Sequence, residues 1–71
     1  MIVSKLHVQM GIHKIKSIRQ LSEETKISRL SLTRLYDGKA KGVEFDTLNT
    51  LCAFFNCSLS DLIEYVPDQG D

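Results

Sequence analysis

Residues 17 to 38 read SIRQLSEETKISRLSLTRLYDG, and this stretch decides the fold. Ser17 and Gln20 have the S-x-x-Q spacing of a helix start: the serine side chain accepts from the amide of Gln20, and Gln20 reaches back to the amide of Ser17. Ile18 and Leu21 then face inward while Glu23 and Glu24 point outward. The turn Thr25-Lys26-Ile27-Ser28 follows, with Lys26 where a short turn between helices takes a left-handed residue, normally glycine. A lysine there carries about 1 kcal/mol of backbone strain. Ser28 caps a second helix, and Ile27 before the cap meets Leu32 inside it, a hydrophobic staple that fixes how the chain enters that helix. Gly38 supplies the left-handed stop.

On a wheel of about 100° per residue, Leu32, Leu35 and Tyr36 share one face of the second helix. Leu30, Thr33 and Arg34 occupy the other, with Arg29 at the first-turn tip. An outer face of this kind suits the reading of base edges. Arginine donates two hydrogen bonds to guanine in the major groove, and leucine or a threonine methyl touches the thymine methyl. A solvated helix face is the competing reading, and a lone helix would favour it. Two capped helices joined by a tight turn have the shape of a helix-turn-helix instead.

Working outward, Val3, Leu6 and Met10 fall at helical spacing and predict a first helix over residues 4 to 13, its last turn weakened by Gly11. After Gly38 the connection KAKGV brings Lys39 and Lys41 just past the second capped helix. Phosphate contacts from such a loop would set register without reading sequence, and two solvated lysines are the alternative. Leu48, Leu51, Cys52 and Phe55 line one face of a core helix over 45 to 56, with Glu44 a mediocre cap and Val43 stapling to Leu48. Ser58 and Asp61 open a fifth helix in which Leu59, Leu62, Ile63 and Val66 face the core, and Pro67 ends it. Phe54 and Tyr65 project from the edges of these last two helices; a homodimer contact and packing within one chain explain them equally. Residues 68 to 71 read as an acidic, mobile tail.

The 71 residues make one domain, small enough that only about 60 to 65% of the unfolded chain's surface can be buried. A hydrophobic content of 42% and a charged content of 25% place it among soluble globular proteins rather than disordered ones. The net charge of zero conceals an asymmetry. All nine Lys and Arg lie in residues 1 to 41 against Glu23, Glu24 and Asp37, a net of +6, while residues 42 to 71 carry six acids and no base. One half is therefore suited to a polyanion and the other is repelled by it.

Residues 17 to 38 resemble the helix-turn-helix of the lambda-repressor/Cro-like, or XRE, family of bacterial and phage transcription regulators. The resemblance continues through the tail D-T-L-x-x-L-C-x-x-x-x-C-x-x-x-D-L-I-E-Y-V-P and so covers nearly the whole chain. It implies an all-α, compact five-helix domain over residues 1 to 71, with the helix-turn-helix formed by helices 2 and 3. It makes residues 17 to 25 the supporting helix and 28 to 37 the recognition helix. Arg29, Leu30 and Arg34 match base-facing positions, Thr33 is a neighbouring candidate, and Ser17, Ser28, Lys39 and Lys41 match positions that contact the DNA backbone. Three positions depart from the family pattern: Ser22 stands for a small alanine, Lys26 for the turn glycine, and Ile18 for a polar residue that often touches phosphate.

No apolar run approaches the roughly 18 residues of a membrane span, and the N-terminus lacks the apolar stretch of a signal peptide, so a cytoplasmic location is expected. Cys52 and Cys57 read as reduced, and with His7 and His13 they lack the spacing of a metal site. No spacing places a histidine beside a nucleophile and no glycine-rich phosphate loop occurs, which argues against an enzyme. No cofactor or small-molecule ligand is implied. The expectation is a sequence-specific regulator of double-stranded DNA, acting as a repressor and as a homodimer on an inverted repeat. The competing class is a protein-interaction module, an antitoxin or adaptor, built on the same fold.

Overall fold

The computed structural model describes residues 1–67. The chain forms β1 (Ile2–Ser4), α1 (Leu6–Ile12), α2 (Ile18–Thr25), α3 (Arg29–Tyr36), α4 (Phe45–Phe55), α5 (Leu59–Leu62) and β2 (Ile63–Tyr65). Every helix contributes to one core: Leu6 and Met10 from α1, Leu21 from α2, Leu32 and Leu35 from α3, Leu51 and Phe55 from α4, Leu62 from α5. Ile18, Ile27, Val43, Leu48 and Cys52 pack around it, which places both halves of each expected staple, Ile27 with Leu32 and Val43 with Leu48, in a common apolar environment. The buried Gln9 joins α1 to α5, its amide nitrogen donating to the carbonyl of Asp61 at 3.4 Å.

The fold is mostly helical, and the expectation of an all-α chain needs correcting. β1 and β2 pair antiparallel in a two-stranded sheet, with Ile2 opposite Tyr65, Val3 opposite Glu64 and Ser4 opposite Ile63. Consequently α1 starts at Leu6 rather than Ser4, and Val3 is a strand residue. α5 stops at Leu62: Ile63 is already extended at φ −137° and ψ 158°, and Leu59, expected inside, is exposed. The composition of the two segments explains the change. Ile2, Val3, Ile63 and Val66 are β-branched and Tyr65 is aromatic, side chains that lose rotamer freedom in a helix and pack well on a pleated surface. The last helix does open as expected, the Asp61 carboxylate accepting from the amide of Ser58 at 3.2 Å and from its hydroxyl at 3.0 Å.

Four helices end on a left-handed residue, at Lys14, Lys26, Gly38 and Asn56. Three of these ends share a bonding pattern that ties two orphan carbonyls. At α1 the amide of Ile15 donates to Met10 (2.8 Å) and Lys14 to Gly11 (3.2 Å); at α3 Lys39 donates to Arg34 (2.8 Å) and Gly38 to Leu35 (3.2 Å); at α4 Cys57 donates to Cys52 (3.0 Å) and Asn56 to Ala53 (3.3 Å).

Candidate nucleic-acid interface

α2 and α3 are held at a fixed angle by side chains in and around the turn Lys26–Ser28. Ser17 caps α2, accepting from the amide of Gln20 at 3.0 Å. Gln20 closes the box one residue earlier than expected, accepting from the amide of Lys16 at 3.0 Å rather than that of Ser17, while its nitrogen donates to Glu24 at 2.9 Å. Lys26 takes the left-handed conformation, φ 67° and ψ 16°, and its amide closes on the carbonyl of Ser22 at 2.8 Å. The hydroxyl of Ser22 donates to the carbonyl of Ile27 at 2.5 Å, and Thr25 donates to Leu21 (2.7 Å) while accepting from the amide of Ile27 (3.3 Å). A serine where the family takes alanine thus adds a bond across the turn. Ser28 caps α3, accepting from the amide of Ser31 at 3.2 Å.

The two faces of α3 differ sharply. Leu32 and Leu35 are buried, whereas Arg29, Leu30, Thr33 and Arg34 are all exposed, Leu30 at 60%. A leucine left this open on a helix with two buried neighbours contributes little to folding. Tyr36, expected on the inner face, is 44% exposed and stands edge-on to His7 with ring centroids 6.2 Å apart. At about 100° per residue it lies at the margin of the Leu32–Leu35 stripe, too far round to reach the core. Among the described residues, ion pairs join Lys5 to Glu64 and Arg19 to Glu23, and none engages Arg29, Arg34, Lys39 or Lys41. No carboxylate among the described residues forms an ion pair with them.

The structure gathers part of the expected set. The main-chain bonds of Lys39 and Ala40 to the carbonyl of Arg34 fold the loop back on α3, so that Ser31, Arg34, Lys39 and Lys41 line one open cleft between α3 and the start of α4. Ser28 borders a second cleft on the other side of Ser31, together with Lys26. Arg29, Leu30 and Thr33 line neither cleft, and Ser17 stands apart at the start of α2. Phe54 is half-buried and edge-on to Phe55, centroids 5.1 Å apart, while Tyr65 is 65% exposed on β2. Two exposed residues, one on α3 and one at the start of α4, had no place in the sequence reading. Ser31, exposed and three positions before Arg34, was legible from helical spacing alone. Phe45, 89% exposed at the first position of α4 beside the lysine loop, gave no signal, because an aromatic at a helix start reads as core.

Elsewhere the chemistry is quiet. Burial raises the Cys57 thiol above its ordinary value, with Cys52 and Asp61 adding to the effect, so the reactive thiolate is disfavoured. Among the described residues, no three metal-ligating side chains come together, and no helix is long and apolar enough to cross a membrane.

A compact helical domain that ties two capped helices across a three-residue turn and leaves exposed arginines on the second is the architecture of a helix-turn-helix protein. Residues 5–68 match the model of the Cro/C1-type HTH DNA-binding domain, and the chain belongs to that family. It is 32% identical over 68 residues to the uncharacterized HTH-type transcriptional regulator YozG of Bacillus subtilis (strain 168), a similarity covering 96% of this chain and 80% of that protein. Family membership makes the chain a DNA-binding protein of the transcription-regulator class.

Proposed function

We propose that the chain is a single-domain, sequence-specific regulator that places α3 in the major groove of double-stranded DNA. The observation that carries this reading is the outer face of α3, where Arg29, Leu30, Thr33 and Arg34 are exposed on a helix whose opposite face is fixed by Leu32 and Leu35. Arg29 and Arg34 each donate to a guanine, and Leu30 and the Thr33 methyl meet thymine methyl groups. Ser17, Ser28, Lys39 and Lys41 hold phosphates on either side and set the register without reading sequence. Ser31, between Ser28 and Arg34, extends this contact. Glu44 lines the same cleft as Arg34, Lys39 and Lys41, and with Asp46 it borders the cleft of Ser28, so these two carboxylates limit how closely phosphates approach there.

Two copies related by two-fold symmetry would occupy an inverted repeat with half-sites about 34 Å apart, one turn of the duplex. Tyr65 is the exposed aromatic available to a partner copy, and the half-buried Phe54, edge-on to Phe55, is the second candidate. Occupying such a site excludes other proteins from it, so the regulator acts as a repressor in the cytoplasm and needs no cofactor or catalytic step.

Selection from a random DNA pool at two salt concentrations tests this reading. A palindromic motif is expected, with affinity that falls steeply as salt rises, and Lys39→Ala or Lys41→Ala should each reduce the salt slope by about one unit without altering the motif. Recovery of no motif, with binding indifferent to salt, would instead identify an antitoxin or adaptor that uses the same fold to hold another protein.

A further inference from the structure

The ribbon formed by β1 and β2 has two outer edges, and they are not equivalent. Met1 and Val66 exchange main-chain bonds at 2.6 and 2.8 Å, and the amide of Lys5 donates to the carbonyl of Leu62 at 2.7 Å. Antiparallel pairs alternate between bonded and non-bonded, so Val3 and Glu64 face each other as a bonded pair. The main-chain groups of Ile2 and Ser4 therefore point outward along the β1 edge, and those of Ile63 and Tyr65 along the β2 edge. Ile2 is 63% exposed, and among the described residues no further strand pairs with either edge.

We infer that the β1 edge is the surface on which a second copy of this chain docks, the two β1 strands pairing antiparallel about a two-fold axis at Val3. This rests on the dimer proposed above and names its contact. Centred on Val3, the pairing sets Ile2 against Ser4 of the other copy and satisfies every outward main-chain group of both residues, four hydrogen bonds in all by strand geometry. It places the two Val3 side chains directly opposite one another, a favourable β-branched pair, and covers Ile2. The same operation on the β2 edge would centre on Glu64 and oppose two carboxylates, which is unfavourable, and Pro67 ends that strand without an amide to offer. Lys5 does not obstruct the β1 edge, since its side chain reaches inward to Glu64 at 3.7 Å and to the carbonyl of Ser60 at 3.2 Å. The result is a four-stranded sheet, β2-β1-β1-β2, in which Tyr65 lies on the same face as Ile2 and borders the joint.

Sedimentation equilibrium of the full chain, unmodified and as Val3→Lys, tests the inference. The substitution faces Glu64 within its own ribbon, an opposite-charge pair that keeps the fold, yet opposes two like charges at the axis, and it should weaken the dimer at least about tenfold with an unchanged circular dichroism spectrum. Val3→Cys should form a disulfide-linked dimer under mild oxidation where the unmodified chain does not, because opposed residues of a non-bonded pair have Cα atoms about 4.5 Å apart, within disulfide range. A dimer that Val3→Lys leaves intact, or that is cross-linked through Glu64→Cys and not Val3→Cys, overturns the β1 edge while leaving the proposed dimer standing. A chain that stays monomeric at all concentrations and binds one half-site at a time overturns both.

Discussion

The α2–α3 pair and the terminal ribbon are assembled by opposite means. In the pair, the helix ends and the turn are determined within a few residues: Ser17 caps through Gln20, Ser28 through Ser31, Ser22 and Thr25 bind the turn, and Gly38 stops the second helix. In the ribbon, three residues near the N-terminus acquire their conformation from three residues about sixty positions away. Neither segment carries enough local preference to be a strand alone. The first region is rigid by local bonding and can present a charged face that the core does not need; the second is a short seam whose open edge is its most distinctive feature.

Five perturbations sharpen the contrast, beginning with the largest effect. Leu32 is fully buried under α3, and Leu32→Ala should destabilise the domain by about 2 to 5 kcal/mol in urea or thermal unfolding. Arg34, two residues on and on the opposite, exposed face, should shift stability by less than about 0.5 kcal/mol on replacement by alanine while weakening specific DNA binding by roughly 1 to 3 kcal/mol. Equal stability losses at the two positions would mean that α3 has no face to spare. The helix stops provide a smaller, signed test. A Cβ at Gly38 would meet nothing within 4 Å, so Gly38→Ala isolates the backbone cost of φ +72° and should lower stability by about 1 kcal/mol. Lys26→Gly, relieving φ 67° in the turn, should raise the melting temperature. If it lowers it, Lys26 contributes something beyond its backbone shape.

The smallest effect concerns pH. Because the Cys57 thiol is raised in the folded state by burial and by Cys52 and Asp61, the unfolded chain loses its proton first as pH rises. The thiol's contribution to stability is fully present below the unfolded thiol pKa of about 8.5 and is lost as pH climbs through the raised folded value. Cys57→Ser should flatten the alkaline limb of the stability profile, measured by thermal unfolding between neutral and alkaline pH.

Legibility in the sequence followed the same division. The caps, the turn at Lys26, the stop at Gly38 and the buried Leu32 and Leu35 are all local patterns, and the structure has them where the pattern placed them. The span of α4 was equally readable, since eleven residues give the apolar period three turns in which to show. The ribbon was not, because Val3, Leu6 and Met10 fit a helical period as well as Ile2 and Val3 fit a strand, and only a partner at Ile63 to Tyr65 decides between them. Tyr36 was lost at the margin of a stripe. Of the left-handed residues beyond the turn, Asn56 belongs to a type that adopts that conformation readily, whereas Lys14 offers no local reason for it and is set by the bond from Ile15 to Met10. On α3 the outward-facing residues were legible, as was the left-handed Gly38 that lets Lys39 bond back to the Arg34 carbonyl, whereas the cleft this makes with the start of α4 was not, since it depends on how two separate helices pack.

Whether the exposed face of α3 reads base sequence is tested by comparing binding-site profiles of the unmodified chain, Arg29→Ala and Arg34→Ala, each obtained by selection from the same random DNA pool at one salt concentration. A symmetric motif is expected, in which each substitution relaxes preference at one base position per half-site and leaves the others intact. Profiles that are identical for all three proteins, or affinity that falls alike for every sequence, would contradict it.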